Sequence, residues 1–163
     1  MTSLAAPAVA QAPVLLRAAT LADVPGLETL IAPYVATGDL LPRSNYDLCR
    51  HIKEYVVAQA GEEIVACGAL KIYSTTLAEL AGLAVRDDRQ SQGLGRAIVE
   101  TLVDEARSLR LRTVFALTRK PLFFHRLGFE PVAKERFPQK VWADCTRCPR
   151  QQCCDEIAVS RDL

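Results

Sequence analysis

The chain has 163 residues, half of them hydrophobic, enough for one domain with a substantial core, and neither a composition break nor an internal repeat marks a second. Twenty basic against 19 acidic residues leave a net charge of +1, which excludes the broad basic surface of a nucleic-acid or acidic-membrane binder. No apolar run approaches the ~20 residues of a membrane helix, so a soluble, cytoplasmic protein is expected.

Residues 1–12 are Ala- and Pro-rich but lack a basic start and a sustained apolar core, so they read as a flexible N-terminal tail rather than a signal peptide. Residues 13–163 read as a single domain with a Cys-rich C-terminal extension at 134–163. Within the domain, Val14 to Arg17 is a short strand. Thr20 and Asp23 form a capping-box pattern opening a helix through Leu27, Leu30 and Ile31, and Pro33 helps to end it. Ser44 and Asp47 cap a second short helix ending near Ile52. Tyr55 to Ala60 and Ile64 to Ser74 form a hairpin around Gly61, Glu62 and Glu63. Ala78 to Val85 is a strand, Gly93 to Leu109 a long helix, Thr113 to Thr118 a strand and Pro121 to Leu127 a helix, with a last strand from Phe129. The order is β-α-α-β-β-β-α-β-α-β, an α/β (α+β) chain.

The join from strand to long helix carries the chemistry. Leu94, Ile98, Leu102, Ala106 and Leu109 give that helix one apolar face, and Gln90, Gly93 and Gly95 before and at its start form Q-x-x-G-x-G. The first N–H groups of a helix have no intrahelical acceptor, and two glycines remove the side chains that would keep an anion away, so a pyrophosphate fits there. Neither the G-x-G-x-x-G of a dinucleotide fold nor a P-loop is present.

An LAV strand end followed by this loop and helix resembles the acetyl-CoA motif of the GCN5-related N-acetyltransferase (GNAT) superfamily. TVFALT and FFHRLGF extend the likeness over roughly residues 14 to 133. With LLPRS, IVACGAL, AELAGLAV and KVWADCTRCP included, the chain resembles the acetyltransferase unit of bacterial N-acetylglutamate synthases, in the short form without an amino-acid-kinase domain. The arginine feedback site that other members place in that domain is then not expected. The resemblance implies the GNAT fold, a mixed and mostly antiparallel sheet flanked by helices. It also implies transfer of acetyl from acetyl-CoA to the α-amine of L-glutamate, the first step of arginine biosynthesis. The partners implied are these two small molecules, with no nucleic acid and no membrane, and a homodimer stays open.

Residue roles follow from the resemblance and are weighed against ordinary ones. Acetyl-CoA is assigned to Leu83, Ala84, Val85, Gln90, Ser91, Gln92, Gly93, Leu94, Gly95, Arg96 and Phe124, with backbone N–H groups near Leu83 to Val85 meeting the tetrahedral oxyanion. Phe124 stands where many superfamily members carry a tyrosine that protonates the CoA thiolate, so no general acid is assigned, and the ring is expected against the pantetheine arm or the core. Glu79 is assigned as the base that deprotonates the amine, although a glutamate can also face solvent from a strand. Arg43 is assigned to an acceptor carboxylate, with Ser44 as a further donor or simply a helix cap, and Lys140 to the second carboxylate, although a tail lysine is usually solvated. Arg17 is held in reserve. His51 and His125 read as surface or packed residues.

Cys49 and Cys67 read as small core residues. Cys145, Cys148, Cys153 and Cys154 resemble half a zinc knuckle, but adjacent Cys153 and Cys154 do not suit one metal, so reduced thiols and no metal are expected. Two other readings remain: an N-acetyltransferase of a different small amine or amino acid, and a non-catalytic acetyl-CoA sensor. A base on the strand speaks against the sensor.

Overall fold

A computed structural model describes residues 11–150 and 154–163, the side chains of residues 141 and 142 excepted. The tail proposed for residues 1–12 falls mostly outside this range, as does Cys153. Seven strands form one sheet in the order β1-β2-β3-β4-β5-β7-β6, comprising β1 (Val14–Ala18), β2 (Tyr55–Ala60), β3 (Glu63–Ile72), β4 (Leu77–Val85), β5 (Thr113–Thr118), β6 (Glu130–Val132) and β7 (Ile157–Asp162). Every neighbouring pair is antiparallel except β4 with β5. The helices are α1 (Val24–Ala36), α2 (Asn45–Arg50), α3 (Leu94–Ser108), α4 (Pro121–His125) and α5 (Pro138–Ala143).

Alternation along the strands divides the apolar residues between two faces. Ile98, Leu102 and Val103 of α3 pack with Val56, Ala58, Ala66 and Leu80 on one face. Leu27, Leu30 and Ile31 of α1 pack with Leu48, Val57, Cys67 and Ala84 on the other. Cys67 is thus a core residue, and burial pushes its thiol up to about 12. Cys49 packs at the margin of the same cluster.

Two features differ from expectation. Helix α1 runs past Pro33 to Ala36, because a proline this close to a helix end forfeits only one hydrogen bond while its own carbonyl still accepts from Thr37 N–H at 3.1 Å. The C-terminal region adds α5 and β7 to the expected order, and β7 lies inside the sheet between β5 and β6. A run such as IAVS is apolar enough to be buried on both sides, but nothing local in it names its neighbours.

Candidate active site

Strand β4 pairs with parallel β5 only at Leu77, Ala78 and Glu79, opposite Thr113, Val114 and Phe115. Beyond Glu79 the strands part, and a cavity of about 560 Å³ opens between them. On its other edge β4 carries one extra residue against β3, since Cys67 faces Ala84 while Ala69 faces Ala81. This bulge contains Gly82 at φ +60°, a conformation that suits glycine, and it takes backbone out of the ladder beside the cavity.

The cavity floor on the α3 side is the glycine turn. Gly93 caps α3 at φ +81° and Ser91 also has positive φ, so the loop from Gln90 reverses twice before the helix starts. Such alternation together with a helix N-terminus makes a backbone anion site. The Gln90 side chain fastens the loop to the end of β4: its Nε2 donates to Val85 O at 3.3 Å, Tyr34 Oη at 3.0 Å and Asp87 Oδ1 at 3.1 Å. Tyr34 hydroxyl in turn donates to Val85 O. A side chain on Gly95 would meet Phe123 Cζ at 3.3 Å. Leu83, Val85, Gln90, Ser91, Gly93, Leu94, Gly95, Arg96 and Phe124 all line the cavity. Ala84 and Gln92 do not. Ala84 points into the α1 core by strand alternation, and exposed Gln92 reaches back to Asp88 O at 3.5 Å. Phe124 also belongs to the core, with edge-on contacts to Phe123 and Phe129.

The opposite end of the cavity is ionic. Glu79 is only 2% exposed. One of its oxygens accepts from Tyr73 hydroxyl at 2.9 Å and the other pairs with Lys140 Nζ at 2.8 Å. Lys140 is itself buried, contrary to the solvated state usual for a tail lysine. Phe137, stacked on Phe115 at 4.0 Å, pins the start of α5 to the sheet, and Phe115 stands in register with Glu79. Lys140 within α5 and Asp144 just after it, four residues apart, therefore reach the same place. Asp144 Oδ2 takes Lys140 Nζ at 3.1 Å, Lys71 Nζ at 3.0 Å and Arg43 Nη2 at 3.3 Å.

These contacts set the charge states. Burial pushes the Asp144 carboxyl up, but Lys140, Lys71 and Arg43 together outweigh it and hold it well below the ordinary carboxylate range. Burial acts to lower Lys140, yet Glu79 and Asp144 leave it raised and firmly charged. Burial and the neighbouring Glu79 carboxylate push the Tyr73 hydroxyl up, so it remains a donor. Tyr55, which also lines the cavity, is pushed up to about 12, chiefly by burial.

Structure thus brings Arg43, Glu79 and Lys140 together with the glycine turn on one cavity, and does not bring Ser44. The Ser44 hydroxyl accepts from Asp47 N–H at 3.1 Å and donates to Asp47 Oδ2 at 2.8 Å, capping α2. Arg17 is bound to Asp23 by two bonds of 2.7 Å, away from the cavity. Lys71, Tyr73 and Asp144 are the members of this ionic cluster that sequence reasoning missed. A lysine in the apolar run IVACGALKIY and an aspartate four residues after Lys140 were the available signals. Cys145, Cys148 and Cys154 also line the cavity, and Lys134 Nζ lies 3.3 Å from Cys154 Sγ.

Residues 27–129 match the model of the acetyltransferase (GNAT) family. The chain is 37% identical over 147 residues to an uncharacterized N-acetyltransferase of Chlorobaculum tepidum, covering 90% of this chain and 95% of that one. It is 40% identical over 125 residues to an amino-acid acetyltransferase of Azotobacter vinelandii, a match of 76% of this chain but only 29% of that relative's length. Among solved structures it resembles N-acetylglutamate synthase from Neisseria gonorrhoeae, complexed with coenzyme A and N-acetyl-glutamate. The TM-score is 0.83 at 28% identity, over 94% of this chain and 36% of that one. A Mycobacterium tuberculosis protein in complex with CoA and NLQ gives a TM-score of 0.77 at 28% identity, over 91% and 99% of the two chains.

The chain belongs to the GNAT family and is an N-acetyltransferase whose acetyl donor is acetyl-CoA. Among the described residues no helix is long and apolar enough to cross a membrane.

Proposed function

We propose that this protein acetylates the α-amine of a free amino acid, with L-glutamate as the acceptor. The observation that carries the reading is the composition of the cavity's far end, where two buried acids, Glu79 and Asp144, stand among three cations, Arg43, Lys71 and Lys140, across the same cavity from the glycine turn. A polyamine or aminoglycoside site would need the opposite balance of charge. The relatives named as amino-acid acetyltransferases and as N-acetylglutamate synthase support the same acceptor class.

Acetyl-CoA lies with its pyrophosphate on the backbone from Gln90 to Arg96 and its thioester beside the bulge of β4. Glu79, held in one orientation by Tyr73 and Lys140, takes a proton from the acceptor ammonium, directly or through water. The freed amine forms the new C–N bond, backbone N–H groups near Leu83 to Val85 meet the oxyanion, and as the C–S bond breaks the nitrogen gives up a second proton to water to become the amide. A free thiol has a pKa of ~8.5, so CoA leaves as a thiolate that takes its proton from water, Phe124 having none to give. Arg43 receives a carboxylate of the acceptor, and Lys140 holds Glu79 in place through their ion pair.

The test is release of CoA thiol from acetyl-CoA with each single amino acid offered in turn. Glutamate should give the highest kcat/KM. Preference for an uncharged amine, or for a diamine, would refute the glutamate assignment.

A further inference from the structure

Lys71 faces Glu79 in the β3–β4 register, and facing residues on antiparallel strands share one side of the sheet. It nevertheless makes its ion pair with Asp144, while Glu79 is matched by Lys140. The consequence is a single oxygen, Asp144 Oδ2, approached by Lys71, Arg43 and Lys140 at 3.0, 3.3 and 3.1 Å. One carboxylate needs no more than one of them for charge balance. Counting Glu79, these three cations make their ion pairs with two acids, with Glu156 on the same cavity as a more distant acid beside Lys140, and cations crowded so in a largely buried place favour the arrival of a further anion.

Position agrees with charge. Arg43, Lys71 and Asp144 line the main cavity and also a second one of about 430 Å³, so their ion pairs are part of the wall between the two. Arg43 and Lys71 already converge on one point at salt-bridge distance, and what fills that point is a carboxylate of the chain itself. Asp144 can release both without becoming unpaired, because Lys140 stays with it on the same turn of chain.

We propose that Lys71 is a specificity-determining residue: with Arg43 it seats a carboxylate of the acceptor, and Asp144 occupies that seat until the acceptor enters. This rests on the amino-acid acetyltransferase reading above. It adds that recognition of the acceptor proceeds by exchange of one carboxylate for another.

The experiment compares wild type, Lys71→Met and Lys71→Arg on glutamate, glutamine and glutamate α-amide, with kcat and KM read from CoA thiol release. Each amide keeps the α-amine and deletes one carboxylate. Lys71→Met leaves Asp144 paired to Arg43 and Lys140, so the fold gains no unpaired acid. It should raise KM for glutamate about tenfold with little change in KM for acetyl-CoA, the size expected for losing one partly buried cation of a pair. The penalty that wild type shows for one of the two amides should shrink by a similar factor, since the deleted carboxylate and the deleted ammonium are partners. Lys71→Arg should restore most of the affinity. Asp144→Asn, which removes the competing charge at constant shape, should lower KM for glutamate several-fold. Equal penalties of Lys71→Met on all three acceptors, or none, would overturn the role of Lys71 while leaving the enzyme an amino-acid acetyltransferase. A raised KM in Asp144→Asn would overturn the exchange. Wild type inactive on all three acceptors would overturn the functional reading and this inference with it.

Discussion

The two ends of the cavity are built in opposite ways. The end proposed for the cofactor is a contiguous run, Gln90 to Arg96, whose shape comes from backbone conformation: positive φ at Ser91 and Gly93, and the start of α3. The end proposed for the acceptor takes its charged side chains from four places, with Arg43 before α2, Lys71 on β3, Glu79 on β4, and Lys140 and Asp144 around α5. The first depends chiefly on the conformation of the turn itself, with Tyr34 as a distant fastening. The second depends on long-range packing, such as Phe137 on Phe115, and its members change one another's charge states. A backbone site binds what every acetyl-CoA presents, whereas a side-chain cluster can be retuned to a new acceptor without touching the cofactor.

The largest effect separating the two ends is expected from Glu79→Gln. It should lower kcat by roughly 10² while leaving KM for acetyl-CoA nearly unchanged, and the deficit should shrink as pH rises and free amine becomes abundant. A mutant-to-wild-type ratio independent of pH would remove Glu79 from the role of base. Next is Arg43→Ala, which should cost glutamate about 2 kcal/mol in kcat/KM, roughly 30-fold, the low end for truncating a paired charge because the guanidinium is partly exposed. Arg43→Lys should recover only part of this, since a point charge lacks the planar fork. Equal losses with an acceptor lacking a carboxylate would break the division between the ends.

At the cofactor end, Gly93→Val should raise KM for acetyl-CoA by about tenfold and leave the choice among acceptors alone. An added Cβ meets no protein atom there, so the effect comes from strain at φ +81° and from obstructing the anion site. Unchanged cofactor affinity in a folded variant would displace the pyrophosphate from this turn. The smallest effect is on stability in acid. The folded Asp144 carboxyl is depressed, so its pairing stabilises the protein above the unfolded carboxylate value of ~3.9 and is lost as pH falls through the folded value. Asp23, held at about 2 chiefly by its hydrogen bonds from Arg17, contributes in the same window. Thermal unfolding followed from pH 5 to pH 2 should therefore show a shallower decline in Asp144→Asn than in wild type, with the Asp23 share of the slope remaining. Parallel curves would mean that Asp144 is not paired in solution as described.

What could be read from the chain follows this division. Helix α3, its glycine turn, the β2–β3 hairpin and the Ser44–Asp47 cap are set by residues within a few positions of one another, so spacing and residue type were enough to place them. The same local logic assigned Ser44 to a cap as readily as to a ligand, and the cap is where its hydroxyl is engaged. Arg43, Glu79 and Lys140 were reached through likeness to a family rather than through spacing. Lys71, Tyr73 and Asp144 escaped because their meaning lies in what they touch. The ion pair of Arg43 with Asp144 spans 101 positions, and that of Lys71 with Asp144 spans 73. No periodicity carries such a relation. It comes into being only when the splay of β4 from β5, the burial of Phe137 and the insertion of β7 between β5 and β6 bring the C-terminal segment over the cavity. Hydrophobic burial decides that arrangement, and the charges then take the partners it leaves within reach.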